Sequence, residues 1–408
     1  MKSRFRIVLI VMTVGAMSLA CNLLATPYAP PVTAEVTVQV EPNVLPTTES
    51  TQPAPATSNL PVGLATAKDQ TISFYDLSGT QVTQVELPQS TFPQRGSIHI
   101  AGTMPVSGGT VPLLYFSLDN GDALHFRDGN GQIFALLNGS SFLGLTGVPG
   151  QPIVAFSQTI FQDTALRSEL YAGSIQTLPS AAPVDVIDDP ESWAIKPILL
   201  EAENGTPTKI WYTRIAYGIG GDIVYEPRKG LFTFELASGQ TNTVLDNTLS
   251  PWDISTDKNW FAYSINDTQS NSMCVKNIQT GADSCYPALP ASEPRGAGNA
   301  FFSPDASSVA WMEGDGWQMA VTPDFKDTVR VGQMDGTVVA DLPMKSFEDA
   351  AGIGSIGRAE PVEWLDNQTV IVQVRGQEWS QVALLRYNIV SKETSYLAPG
   401  EFIGLVYP

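Results

Sequence analysis

A unit of about 45 residues recurs from Leu60 to the C-terminus, and this repeat constrains the fold more than any other feature of the 408-residue chain. Each copy holds four short runs rich in β-branched and aromatic residues, separated by Ser, Asp, Asn and Gly turns, which is the signature of a four-stranded antiparallel sheet. The pattern is plainest in the fifth copy. Its strands are expected at Trp252–Ser255, Trp260–Ile265, Cys274–Ile278 and Cys285–Leu289, with Ser255 to Lys258 as the first turn and Thr280 with Gly281 as the third. Sheets that repeat at this period stack on their neighbours and cannot bury both faces alone.

The seventh copy follows the same plan through Val362–Leu365, Val370–Val374, Val382–Ile389 and Thr394–Leu397. Copies two to four fit with more tolerance, the second from Ile98–Ala101, the third from Leu143–Thr146 and the fourth from Ala194–Leu199. At the front, Gly63–Ala67, Ile72–Leu77 and Val82–Leu87 supply only three strands, while Phe402–Tyr407 is a spare strand at the far end. Pairing the two ends closes a ring and removes the open sheet edges that invite aggregation. The fold class is therefore all-β, a seven-bladed β-propeller whose C-terminal strand completes the N-terminal blade, six and eight blades being the counts the spacing leaves open. An all-β sandwich would show similar strand spacing, but some 350 residues is large for one sandwich core.

In the sixth copy Ala300, Phe301 and Phe302 lead to Ser303, Pro304 and Asp305 and then Ser308, Val309, Ala310 and Trp311. This stretch resembles the Ser-Pro-Asp-Gly turn and apolar strand of TolB-like, WD40-related propellers. Ala306 stands where that family has Gly, which leaves the turn type open. The resemblance covers the repeat pattern alone and implies protein scaffolding in the cell envelope.

Residues 1–20 read as an export signal. Lys2, Arg4 and Arg6 precede the apolar run from Ile7 to Val14, and Ser18, Leu19 and Ala20 lead into Cys21. This resembles a bacterial lipoprotein signal, which implies that Cys21 becomes the lipidated first residue. The apolar run is about 14 residues, short of the roughly 20 that a membrane-spanning helix needs. Residues 21–59 are rich in Pro, Thr, Ala, Val and Ser and cannot bury enough surface to fold, so they are expected to be a tether. Extended at about 3.1 Å per residue, the tether reaches at most roughly 100 Å. The propeller occupies residues 60–408, and the expected location is the extracytoplasmic side of a membrane.

With Cys21 assigned to lipid, Cys274 and Cys285 are left in adjacent strands of one hairpin, where a disulfide is expected if the register brings them face to face; two buried thiols are the alternative. The net charge of −19 argues against nucleic acid and against lying flat on anionic lipid. His99 and His125 are the only histidines, so neither a His-rich metal site nor a Ser-His-Asp triad can be assembled. No cofactor or metal is expected. The run Asp119, Asn120, Gly121, Asp122 is too short for a calcium loop.

Long connections between second and third strands are expected at Arg214–Lys229, Glu313–Lys326 and Arg375–Ser380, and the link from blade six to seven at Met344–Arg358. They share one face of a propeller, where function concentrates on loops over a rigid scaffold. Tyr217, Asp222, Tyr225, Arg228, Trp317, Glu378 and Trp379 are the candidate binding residues, because rings supply contact area and Arg a directed fork of donors. The glycines from Gly218 to Gly221 lack the Gly-Lys-Ser/Thr ending of a phosphate loop. Two functions remain: a non-catalytic face that binds an envelope protein or glycan, and a glycan-active hydrolase or lyase using carboxylates at the channel mouth. Convergence of carboxylates among Asp222, Glu226, Glu313, Asp315 and Glu378 would favour the second.

Overall fold

The computed structural model describes residues 60–408 except 89–95, 107–108, 118–122, 140, 163–164, 219–224, 266–271, 291–294, 316–325 and 378–379. The expected export signal, Cys21 and the expected tether lie outside the described residues. The described residues form seven four-stranded antiparallel sheets. Six sheets take their strands in chain order, and the first is completed by Glu401–Val406 pairing with Gly63–Lys68. The ring is therefore a seven-bladed β-propeller closed by the last strand on the first.

Each blade is covered on both faces, so successive residues of one strand serve different neighbours. Leu64 packs into the seam between blades seven and one, while Ala65 packs between blades one and two. In blade seven Val370 and Val372 face blade six, and Ile371 between them faces blade one. This is why Val370–Val372 reads as an unbroken apolar run rather than an alternating one, with Gln373 the polar break before Val374. The apolar core divides into one large cluster at each of the seven seams.

The innermost strand of every blade carries a β-bulge at an equivalent place. The skipped residues are Ala101 with Gly102, Gly144 with Leu145, Ile198, Trp252, Asn299 with Ala300, Val362, and Ile403. A bulge bends its strand and re-aims the side chains that follow. Side chains from one blade also hold the inner-strand backbone of the next. Asp253 Oδ2 accepts from Phe302 N at 2.8 Å, Asp327 Oδ2 from Ala359 N at 2.9 Å, and Gln373 Oε1 from Phe402 N at 2.8 Å.

Several strand limits differ from the sequence expectation. The fourth strand of blade five is Asp283–Cys285, ending where Cys285–Leu289 was expected to begin. Beyond Cys285, the ring of Tyr286 turns into the seam and stacks on Trp311 at 4.5 Å, while Pro287 and Pro290 have no N–H for a ladder. Cys274 and Cys285 are register partners joined by a disulfide, with Cα atoms 4.0 Å apart. Glu313 and Arg375, expected in loops, lie inside the strands Ser308–Asp315 and Thr369–Gly376. The link from blade six to seven folds as a 3-10 turn at Met344–Phe347 and a short helix at Glu348–Ala351, anchored by the buried Phe347.

The turn at Ser303 is resolved. Ser303 Oγ donates to Asp305 Oδ1 at 2.8 Å, and Ala306 sits at φ +56°. The equivalent turn in blade five pairs Ser255 with Asp257 at 2.6 Å and places Lys258 at φ +59°. Both turns need the left-handed conformation that a glycine adopts without strain.

Candidate functional site

The inner strands of all seven blades surround a channel with a volume of about 650 Å³. Its wall is polar. On blade four, Lys196 projects from the inner strand Trp193–Glu203, and Glu226 and Arg228 come from the connection that enters the third strand. Lys196 Nζ lies 2.8 Å from both Glu226 carboxylate oxygens, and Arg228 donates to Glu226 through Nε at 3.1 Å. Arg228 is locked a second time, since Nη1 donates to the carbonyls of Pro251 and Trp252 at 3.3 Å and the guanidinium lies 4.6 Å over the Trp252 ring. Burial would raise the Glu226 pKa, but the two cations outweigh it and hold the carboxyl down at about 2.

A second network crosses blades six, seven and one. Glu360 accepts from Arg358 Nη2 at 2.7 Å, from Asn299 Nδ2 at 2.8 Å and from Gln373 Nε2 at 3.2 Å. Asn299 belongs to the blade-six bulge and stands at φ +50°, a conformation that Asn tolerates better than most residues. Gln373 passes the network to Phe402 N, beside the pair Arg375–Glu401 at 2.6 Å. His99 lines the channel on blade two, and burial lowers its pKa to about 4, so the imidazole is neutral.

Antiparallel alternation puts the connections between second and third strands and between blades at one end of the channel. At that end Phe161 and Tyr217 meet with ring centroids 5.2 Å apart, and Phe161 is 65% exposed. Tyr217 N donates to Ser192 O at 3.1 Å, which places this pair beside Trp193, where the inner strand of blade four begins. Lys229 Nζ sits 4.1 Å over the Trp193 ring.

Of the expected binding residues, Tyr217 stands on the rim and Arg228 on the channel wall. Tyr225 does not face solvent; it is buried against Trp252, and its hydroxyl donates to Gly296 O at 2.9 Å. The ring fills the seam between blades five and six, packed with Trp252, Ala297 and Met312. Asp222, Trp317, Glu378 and Trp379 lie outside the described residues. Of the carboxylates that were to converge, Glu226 lines the channel, whereas Glu313 is buried away from it on Arg330 at 2.5 Å. The side chains of Asp222, Asp315 and Glu378 are outside the described set. Sequence reasoning did not single out Lys196, Asn299, Glu360, Gln373 or Glu401. Their one signal is a polar residue within an otherwise apolar strand. Among the described residues no cluster of His, Cys, Asp and Glu is arranged to hold a metal ion, and no helix is long and apolar enough to cross a membrane.

Neither a family model nor a curated protein matches the sequence. Solved structures do. TolB from Acinetobacter baumannii aligns over 84% of this chain and 80% of its own, at 12% identity and a TM-score of 0.39. An oligogalacturonate lyase in complex with manganese aligns over 71% and 73%, at 13% identity and a TM-score of 0.44. A puromycin-hydrolyzing peptidase of Mycobacterium tuberculosis aligns over 83% of this chain but only 53% of its own, at 12% identity and a TM-score of 0.48. At this distance these likenesses carry no argument about function.

Proposed function

We propose that the chain is an exported lipoprotein, anchored through Cys21, whose propeller binds a cell-envelope protein or glycan at its loop face without catalysis. The observation that carries this reading is the state of the channel carboxylates. Glu226 is clamped by two cations and held ionised, and Glu360 accepts three side-chain N–H groups at once. A general acid for glycoside hydrolysis needs the opposite environment, one that keeps its proton near neutral pH. The exposed Phe161 with Tyr217, beside the Lys229–Trp193 contact, offers the kind of aromatic rim on which binding faces rely.

A photo-cross-linking residue at Tyr217 tests the face in native membranes. The expected result is a discrete adduct there and none from Val390, which is 67% exposed in a turn at the opposite end of the ring. Labelling with radioactive palmitate that disappears in Cys21→Ser tests the anchor. The glycan-cleaving alternative draws on Glu226, Glu360 and Glu401 lining one channel. Release of new reducing ends or unsaturated products by the wild type, lost in Glu360→Gln, would replace binding with catalysis.

A further inference from the structure

We infer that the channel mouth takes a neutral, polyhydroxylated ligand, an oligosaccharide; the inference rests on the binding function proposed above and names its ligand class. Charge is the first argument. Among the described residues the wall carries four cations (Lys196, Arg228, Arg358, Arg375) against five carboxylates, which leaves it one negative charge. The whole chain carries −19. The channel wall is thus nearly balanced on an acidic protein, and it presents little net field to select an ion.

The second argument is how those charges are held. Arg358 lies on Glu360, Arg375 on Glu401, and Lys196 on Glu226, each within 2.8 Å. An ionic ligand must displace one member of such a pair and leave the other without its partner, a cost that a neutral ligand does not meet. A hydroxyl carries one donor and two acceptor sites. Placed at the edge of a pair, it donates to the carboxylate and accepts from the cation, and neither needs to move. Asn299 and Gln373, already oriented on Glu360, extend the same donor and acceptor pattern between blades six and one.

The third argument is the rim. Trp193 begins the inner strand that carries Lys196, about 10 Å further down at the ordinary rise of a strand. Phe161 and Tyr217 stand beside it. Apolar rings on the loop face and paired charges within the channel are the two kinds of surface that a sugar's C–H face and hydroxyl edge require. The volume of about 650 Å³ lies within the range of small-ligand sites.

Titration calorimetry on the full chain with cellohexaose, chitohexaose and hexagalacturonate tests the inference. At least one neutral hexamer is expected to bind, with Glu360→Gln or Asn299→Ala weakening it about tenfold or more, the loss of a hydrogen bond to a charged group. Phe161→Ala, at an exposed position that puts folding at little risk, is expected to weaken it about three- to tenfold. Affinity should change less than about twofold between about 0.05 M and about 0.5 M salt, because no ion pair forms. Binding of hexagalacturonate alone, falling with salt, overturns the inference and leaves the binding function standing. So does binding of no saccharide while the Tyr217 cross-linker still captures a protein. If no saccharide binds and no adduct forms, both readings fail.

Discussion

The pair Arg330–Glu313 and the pair Lys196–Glu226 are the same chemistry in two settings. The first is sealed between blades five and six, its side chains 4% and 1% exposed; the second opens on the channel at 24% and 32%. In the sealed pair every partner is fixed. Arg330 also donates to Asp341 at 2.7 Å and to Pro287 O at 2.7 Å, and Glu313 accepts from Leu289 N at 2.6 Å. These contacts dock the segment after Cys285 onto blade six. In the open pair, water can screen the charges and a ligand can reach them. Setting, rather than residue type, decides whether an ion pair serves the fold or a surface.

The contrast breaks most easily at the sealed end. Arg330→Ala or Glu313→Ala is expected to cost about 3–5 kcal/mol in denaturant unfolding, because the first removes the buried guanidinium from the Glu313 carboxylate and the second leaves Arg330 only the half-exposed Asp341 as an ion-pair partner. Arg330→Met combined with Glu313→Leu should recover most of that loss. The neighbouring disulfide is next in size, and Cys274→Ala with Cys285→Ala is expected to cost about 3 kcal/mol. On the open side, Glu226→Ala is expected to cost less, on the order of 1–2 kcal/mol, because water reaches the pair and screens part of what its lowered carboxyl pKa represents. Equal losses at Glu313 and Glu226 would erase the distinction.

Acid sharpens it further. The Glu226 carboxyl titrates at about 2 when folded, below its ordinary 4.5, so its contribution is complete above about pH 4.5 and is lost as the pH falls toward 2. The stability difference between wild type and Glu226→Gln, followed by denaturant melts across this range, should shrink toward pH 2. The smallest effect lies in neither pair. Ala306→Gly should relieve the left-handed strain at φ +56° and gain on the order of 0.5 kcal/mol, raising the midpoint of thermal unfolding slightly.

The blades were legible because a strand covered on both faces must be largely apolar, as Val370–Val372 is, and because Phe402–Tyr407 had no partner other than the first blade. The channel was not. A bulge shifts the alternation within every inner strand, so the position of Glu360 or Lys196 in the sequence does not say which way it faces. Asn299, Glu360, Gln373 and Glu401 also come from three blades that only the closed ring brings together. Tyr225 failed for a different reason. An aromatic in a long connection looks like a contact residue, and only packing reveals that it fills a seam.

Closure by the last strand also imposes an order in time. Gly63 pairs with Val406, so Glu401–Val406 must arrive before the first sheet has its fourth strand. Until then the ladder of Gly63–Lys68 is an open edge, and the contact that covers it is among the most distant in sequence, a slow kind of step. The same strand carries Glu401 and Phe402 into the channel network. A chain made only as far as blade seven has neither a closed ring nor the Glu401 side of the channel network, so the wall of the channel and the closure of the ring are completed by one and the same strand.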